Sequence, residues 1–205
     1  MYYGERFNGY THLAGAVMAV GAAGSLLSMA ATRGDPWRIT SFAIYGFTLV
    51  TLFLASTLYH STRGRLKDFF RKVDHVSIYL VIAGTWTPFV LVTVDPSWRW
   101  TLFAAVWSLA LLGVWQEICV ARGLRLTSLA IYLGMGWLGL AALEPLLQGL
   151  GIDGFGWMLT GGIVYTIGIV FYLYDERFKH WHGIWHCFVL VGSAVHFAAI
   201  VRYVA

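Results

Sequence analysis

His180-Trp181-His182-Gly183-Ile184-Trp185-His186-Cys187-Phe188-Val189-Leu190-Val191-Gly192-Ser193-Ala194-Val195-His196-Phe197-Ala198-Ala199-Ile200-Val201 runs for 22 residues without an Asp, Glu, Lys or Arg. A hydrocarbon core about 30 Å thick needs ~20 helical residues at about 1.5 Å each, so this one stretch can cross a bilayer. Working back toward the N-terminus, six more runs of the same kind are separated by short charged gaps. They cover 7–32 (26 residues), 39–62 (24), 75–94 (20), 100–116 (17), 126–143 (18) and 154–174 (21). Barrel strands would show ~10-residue alternation instead, and with no water in the bilayer each long run must satisfy its backbone groups as a helix. The pattern predicts an all-α integral membrane protein of seven transmembrane helices, a single domain over 1–205.

Composition agrees. Of 205 residues 59% are hydrophobic and only 12% charged, with mean hydropathy +0.68; an ordinary soluble domain carries roughly 25% charged residues. That excludes a soluble enzyme, a disordered chain and a nucleic-acid-binding protein, so no nucleic-acid partner is expected. Two cysteines, Cys119 and Cys187, make no disulfide framework. Ser28-Met29-Ala30 has the look of a signal-peptide cleavage site, but the apolar stretch before it is longer than a secretory h-region, and Glu5 offsets Arg6. The first run is expected to remain as helix 1.

Orientation follows from Lys and Arg. One face would hold Arg6, Arg63, Arg65, Lys67, Arg71, Lys72, Arg122, Arg125, Arg177 and Lys179; the other would hold Arg33, Arg38, Arg99 and Arg202. The positive-inside rule then predicts a cytoplasmic N-terminus and an extracytoplasmic C-terminus. The basic stretch 63–72 reads as a topology signal in a loop facing anionic lipid.

Chemistry is sought among the seven histidines, because ionisable or metal-binding groups inside a bilayer are costly. His12, His60, His75, His180, His182 and His186 stand at helix beginnings or ends on the predicted cytoplasmic side; only His196 lies deeper. His182 and His186 are four residues apart, on one helix face and about 6 Å apart along its axis, a spacing that lets two nitrogens grip one metal. Ser56 stands one turn deeper than His60, and Asp74 adds a carboxylate at the start of helix 3. His12, His75 and His180 read as supporting or interfacial residues, and His196 as hydrogen-bonded within the bundle.

Glu5-Arg6-Phe7-Asn8-Gly9-Tyr10-Thr11-His12, Ser56-Thr57-Leu58-Tyr59-His60, the later Asp74, and His182 and His186 followed by His196 together resemble the hemolysin III family, the bacterial branch of the progestin and adiponectin receptor superfamily. The resemblance covers nearly the whole chain and rests on the order and spacing of four separated motifs. It implies seven helices, an intracellular N-terminus, a bacterial plasma-membrane location and zinc near the cytoplasmic side held by His60, His182 and His186. It also implies that Ser56 and Asp74 surround the zinc-bound water and that Glu5, Asn8 and His12 form a helix 1 signature. Hydrolysis of a lipid amide, or control of membrane lipid composition, is the implied activity, with membrane lipids as partners. Because only a short stretch precedes the first run, no protein hormone is expected.

Three imidazoles leave one zinc position open, as catalytic sites do. Asp74 would then accept the water's proton and Ser56 would orient the water or donate to an oxyanion. The alternative is a receptor or lipid-homeostasis regulator in which zinc only ties helices 2 and 7 together. A pore is disfavoured by the lack of a charged ring at membrane depth, and haem by three histidines at one level. A retinal protein needs a membrane-embedded lysine, whereas Lys67, Lys72 and Lys179 are placed in loops.

Overall fold

The computed structural model describes residues 1, 4–120 and 125–205. Among the described residues there are seven α-helices and no strand: α1 (Arg6–Arg33), α2 (Pro36–Ser61), α3 (Gly64–Pro88), α4 (Pro96–Trp115), α5 (Arg125–Gly136), α6 (Leu143–Leu173) and α7 (Trp181–Tyr203). Six of these, counting the π-helical turns that extend α3 and α4, are long and apolar enough to cross a membrane. Helices α2 and α4 start for local reasons. Asp35 and Asp95 accept hydrogen bonds from backbone N–H groups of the first turn, and Pro36 and Pro96 follow them at the position where a missing N–H costs nothing.

The exception is α5. Its 12 residues reach roughly 18 Å, short of the ~30 Å hydrocarbon core. Run 126–143 is thus not one helix: it gives way to a 3₁₀ turn at Leu138–Leu140 and a bend before α6. The cause is in the sequence. Gly134, Gly136 and Gly139 each weaken a helix by up to ~1 kcal/mol against alanine, and Pro145 offers no N–H to Ala141, so a continuous helix fails here. Helix α6 is itself two arms, 143–150 and 152–173, hinged at Gly151, whose φ of 70° and ψ of 172° are open to glycine alone.

Helix α3 starts eleven residues before the run 75–94. Its first turns carry the basic residues that the sequence assigned to a loop, so Lys67 and Lys72 are helical, and Asp74 and His75 lie well inside α3. At its other end Pro88 cannot donate to Gly84, and the helix loosens into the π-helical turn Phe89–Thr93.

Helices α1, α2 and α3 pack in sequence order, α6 packs on α7, and α7 closes on α1. Phe42, Tyr45, Phe53, Tyr79 and Phe89 fill the interior, while Val17, Phe47, Leu111 and Ile152 face outward as lipid-facing residues do. The two ends of the bundle are sorted as the charge count requires. Arg38 Nε donates to the Val204 carbonyl at 2.9 Å and Arg99 lies over Trp37, which gathers the α1–α2 and α3–α4 turns with the C-terminus. At the opposite end Lys67 meets Glu5 at 2.7 Å and Arg125 meets Asp175 at 2.8 Å. Arg122, one of the ten cations assigned to that end, lies outside the described residues.

Candidate metal centre

The end of α2 and the beginning of α7 bring His60, His182 and His186 together. Their ligand atoms lie within 4.8 Å of one another, and the rings are separated by 5.2 Å (His60 to His182), 5.0 Å (His60 to His186) and 4.6 Å (His182 to His186). Helical geometry puts His182 and His186 on one face, as the spacing predicts. Gly183 between them serves a separate need: a Cβ there would stand 2.1 Å from the Phe7 ring and 3.0 Å from Asn8 Oδ1. Without a side chain at 183, the start of α1 can lie across the triad.

The outer nitrogen of every ring is taken. His60 Nδ1 is 2.7 Å from Glu5 Oε2, His182 Nδ1 is 2.7 Å from Asp175 Oδ2, and His186 Nδ1 is 3.1 Å from the Asn8 carbonyl. A carboxylate or carbonyl only accepts, so each Nδ1 carries the hydrogen and each Nε2 is left with a bare lone pair. Buried Nε2 atoms of His60 and His182 have no partner among the described residues. Unsatisfied buried acceptors cost about 1–3 kcal/mol each, and their convergence is what a cation would relieve. Carboxylate–histidine pairs of this kind fix ring orientation and raise ligand basicity at metal sites. The donor set fits a metal ion.

Each carboxylate is in turn held by a cation. Glu5 Oε1 meets Lys67 Nζ at 2.7 Å and Asn8 Nδ2 donates to Glu5 Oε2 at 3.0 Å; Asp175 Oδ1 meets Arg125 Nη2 at 2.8 Å. The hydrogen bond from His60, with those of Lys67 and Asn8, outweighs burial and holds the Glu5 carboxyl well below the usual range. Burial pushes Asp175 up, but hydrogen bonds from His182 and Arg125 together bring it below its ordinary value.

Ser56 and Asp74 are both buried. Asp74 lies beside Ser56 and within electrostatic reach of His60 and His182, while the Ser56 hydroxyl makes no well-formed hydrogen bond among the described residues. They line one end of a partly open cavity of about 160 Å³, otherwise mainly apolar, that also touches His182 and His186 and extends to His196. From His186 to His196 is ten residues of helix, roughly 15 Å.

The remaining histidines divide. His12 is buried and stacked on His186 with ring centroids 3.6 Å apart. His75 pairs with Glu117 at 2.9 Å, a glutamate brought inward where α4 ends in the π-helical turn Gln116–Val120. His180 precedes α7 in a left-handed conformation. His196 Nε2 donates to the Met158 carbonyl at 3.1 Å, as a hydrogen-bonded residue in the bundle should. Asp175, Lys67 and Arg125 were legible only as charges, since their partners lie across helices where no sequence spacing points to them; Glu5 was legible as part of a motif without a role.

The chain is 41% identical to "Hemolysin-3 homolog" of Bacillus subtilis over 97% of its own length and 93% of the relative's. It is 39% identical to "Hemolysin-3" of Bacillus cereus, with 98% and 91% covered. It is also 29% identical to the human "Monocyte to macrophage differentiation factor", with 98% and 84% covered. The family described as "Haemolysin-III related" matches residues 2–197, almost the whole chain. With its bundle of apolar helices and its histidine cluster, this multi-pass membrane protein belongs to the haemolysin-III-related family.

Proposed function

We propose that this protein is a zinc-dependent hydrolase embedded in the bacterial plasma membrane, cleaving a lipid amide at the cytoplasmic side with His60, His182 and His186 as the metal ligands. The observation that carries the reading is the junction of two environments. A three-imidazole site with buried Asp74 and Ser56 stands at one end of an apolar cavity long enough to hold much of an acyl chain. Held by three protein ligands, zinc would keep a position open and supply Lewis acidity.

The chain's own residues supply the rest. Asp74 accepts a proton as water adds to the amide carbonyl carbon; the C–N bond then breaks and Asp74 returns the proton to the leaving nitrogen, giving an amine and a carboxylic acid. Ser56 donates its hydroxyl hydrogen toward the carbonyl oxygen as charge builds there. Leu52, Ile82, Phe89, Met158 and Val189 line the cavity, holding the chain and keeping bulk water out. Lipid would reach the cavity sideways between α5 and α6, whose residues Leu133, Gly136, Leu159 and Gly162 line it. The ten-to-four bias of Lys and Arg supports a cytoplasmic N-terminus, an extracytoplasmic C-terminus and seven crossings, with α5 and its 3₁₀ turn as the short fifth.

The test is turnover of a panel of lipid amides by purified protein in liposomes, read by mass spectrometry, with zinc content measured in the same preparation at saturating zinc. Asp74→Asn should keep the fold and the metal while turnover falls roughly 10²- to 10⁴-fold. A zinc-loaded Asp74→Asn protein with wild-type turnover would remove Asp74 from the chemistry. Zinc-loaded wild type that turns over no lipid would favour the regulator, in which the metal serves only to join α1, α2 and α7.

A further inference from the structure

Arg125, the first residue of α5, makes contacts that no crevice-lining residue needs. Its Nη2 donates to the Tyr172 carbonyl and to Asp175 Oδ1 at 2.8 Å, its Nη1 to Glu176 Oε1 at 3.3 Å, and its guanidinium lies 3.9 Å from the Tyr172 ring centre. Tyr172 is in the last turn of α6, where carbonyls lack helical partners and a cation is favoured. The same guanidinium therefore caps α6, starts α5 and, through Asp175 Oδ2 at 2.7 Å, holds His182.

The crevice between α5 and α6 is fastened at two places. Arg125 closes it at the metal end, and Trp137 Nε1 donates to Thr166 Oγ1 at 3.1 Å at the other. Between them Leu133 and Gly136 on α5 and Ile169 on α6 line the cavity. A planar fork with five donors in fixed directions holds a carboxylate and a carbonyl in a set mutual orientation, which the compact, freely rotating ammonium of a lysine does not impose.

We propose that Arg125 is a positioning residue that couples the metal ligand His182 to the α5–α6 crevice, so that metal binding and closure of the crevice favour each other. The inference rests on the metal-centre reading and not on catalysis. Asp175 presents its two oxygens to different masters. With a metal on His182 Nε2, the Nδ1–H bond to Asp175 is strengthened and the carboxylate is fixed in place; with the carboxylate fixed, Arg125 and the head of α5 are held against α6. By linkage, whatever spreads α5 from α6 weakens metal binding by the same factor. Lipid entering the crevice would then loosen the metal's hold on its own ligand.

Hydrogen exchange of the α5 amides (126–136) in the full-length protein, with zinc removed by chelation and then restored, reads the coupling directly. Zinc should slow exchange in wild type by roughly 5-fold or more, the lower end of common coupling factors. Arg125→Gln should bind zinc about 10- to 100-fold more weakly and show no slowing of α5 even at saturating zinc. Arg125→Lys should recover part of the affinity through Asp175 without restoring the slowing, because it releases the Tyr172 carbonyl. Glu176→Gln, which removes only an exposed pair, should change neither, and Asp175→Asn should break the link from the other side if Arg125→Gln does not fold. Equal slowing of α5 in zinc-saturated Arg125→Gln, or zinc-bound wild type whose α5 exchange is unchanged, would overturn the coupling alone. Wild type that binds no zinc would overturn the metal reading beneath it.

Discussion

At the residue scale the histidine triad depends on side chains outside it. Glu5 accepts from His60 Nδ1 and is shared with Lys67, so Glu5→Gln should loosen His60 and weaken metal binding about 10- to 100-fold, measured by competition with a chelator. Native affinity in that variant would mean that His60 is oriented by packing alone. Gly183→Ala would press on Phe7 and Asn8, whose carbonyl holds His186 Nδ1. It should lower affinity without removing a ligand, and an unchanged affinity would show that α1 does not orient His186. His182 and His186 were readable as a pair because a four-residue interval is a statement about one helix face, whereas His60 joined them only through the family resemblance. Glu5, Lys67, Asp175 and Arg125 form two chains of cation, carboxylate and imidazole that exist only after α1, α2 and α3 meet on one side and α5 and α7 on the other.

At the element scale, hydrophobic run length located α1, α2, α4 and α7 closely, failed at the fifth helix, and began α6 at 154 although the helix starts at Leu143. Length counts apolar residues, and it is blind to what Gly134, Gly136 and Gly139 do to a helix made of them. It also missed the first turns of α3, where a basic helix continues beyond the apolar run. Helix approach sets the depth at which His60 meets Asp74. At Gly84 a Cβ would lie 2.0 Å from Thr48 Oγ1, so the Thr48 side chain of α2 packs directly on the α3 backbone. Gly84→Ala should destabilise the protein by about 1–3 kcal/mol through overpacking. Combining it with Thr48→Ala should cost less than the sum of the two, read from thermal unfolding in detergent. Strict additivity would contradict the close approach.

For the whole molecule, the structure groups the charged ends by contacts such as Arg38 with Val204 and Lys67 with Glu5, and the positive-inside rule turns that grouping into a direction. A reporter fused after Ala205 should read as extracytoplasmic and one inserted between Arg65 and Lys67 as cytoplasmic; the opposite pattern would move the metal centre to the outer face. The centre itself joins α2 to α7 directly and α1 through Glu5 and Asn8, so it ties the two ends of the chain together. Zinc at 100 times its dissociation constant should therefore stabilise the fold by roughly 2.7 kcal/mol. The most direct measurement is the metal content of the purified protein beside its three ligand variants. Wild type should hold about one zinc per chain; His60→Ala, His182→Ala and His186→Ala should each lose most of it, and His196→Ala should keep it. Wild type without metal, or full occupancy in all three ligand variants, would contradict the assignment of these histidines as a metal centre.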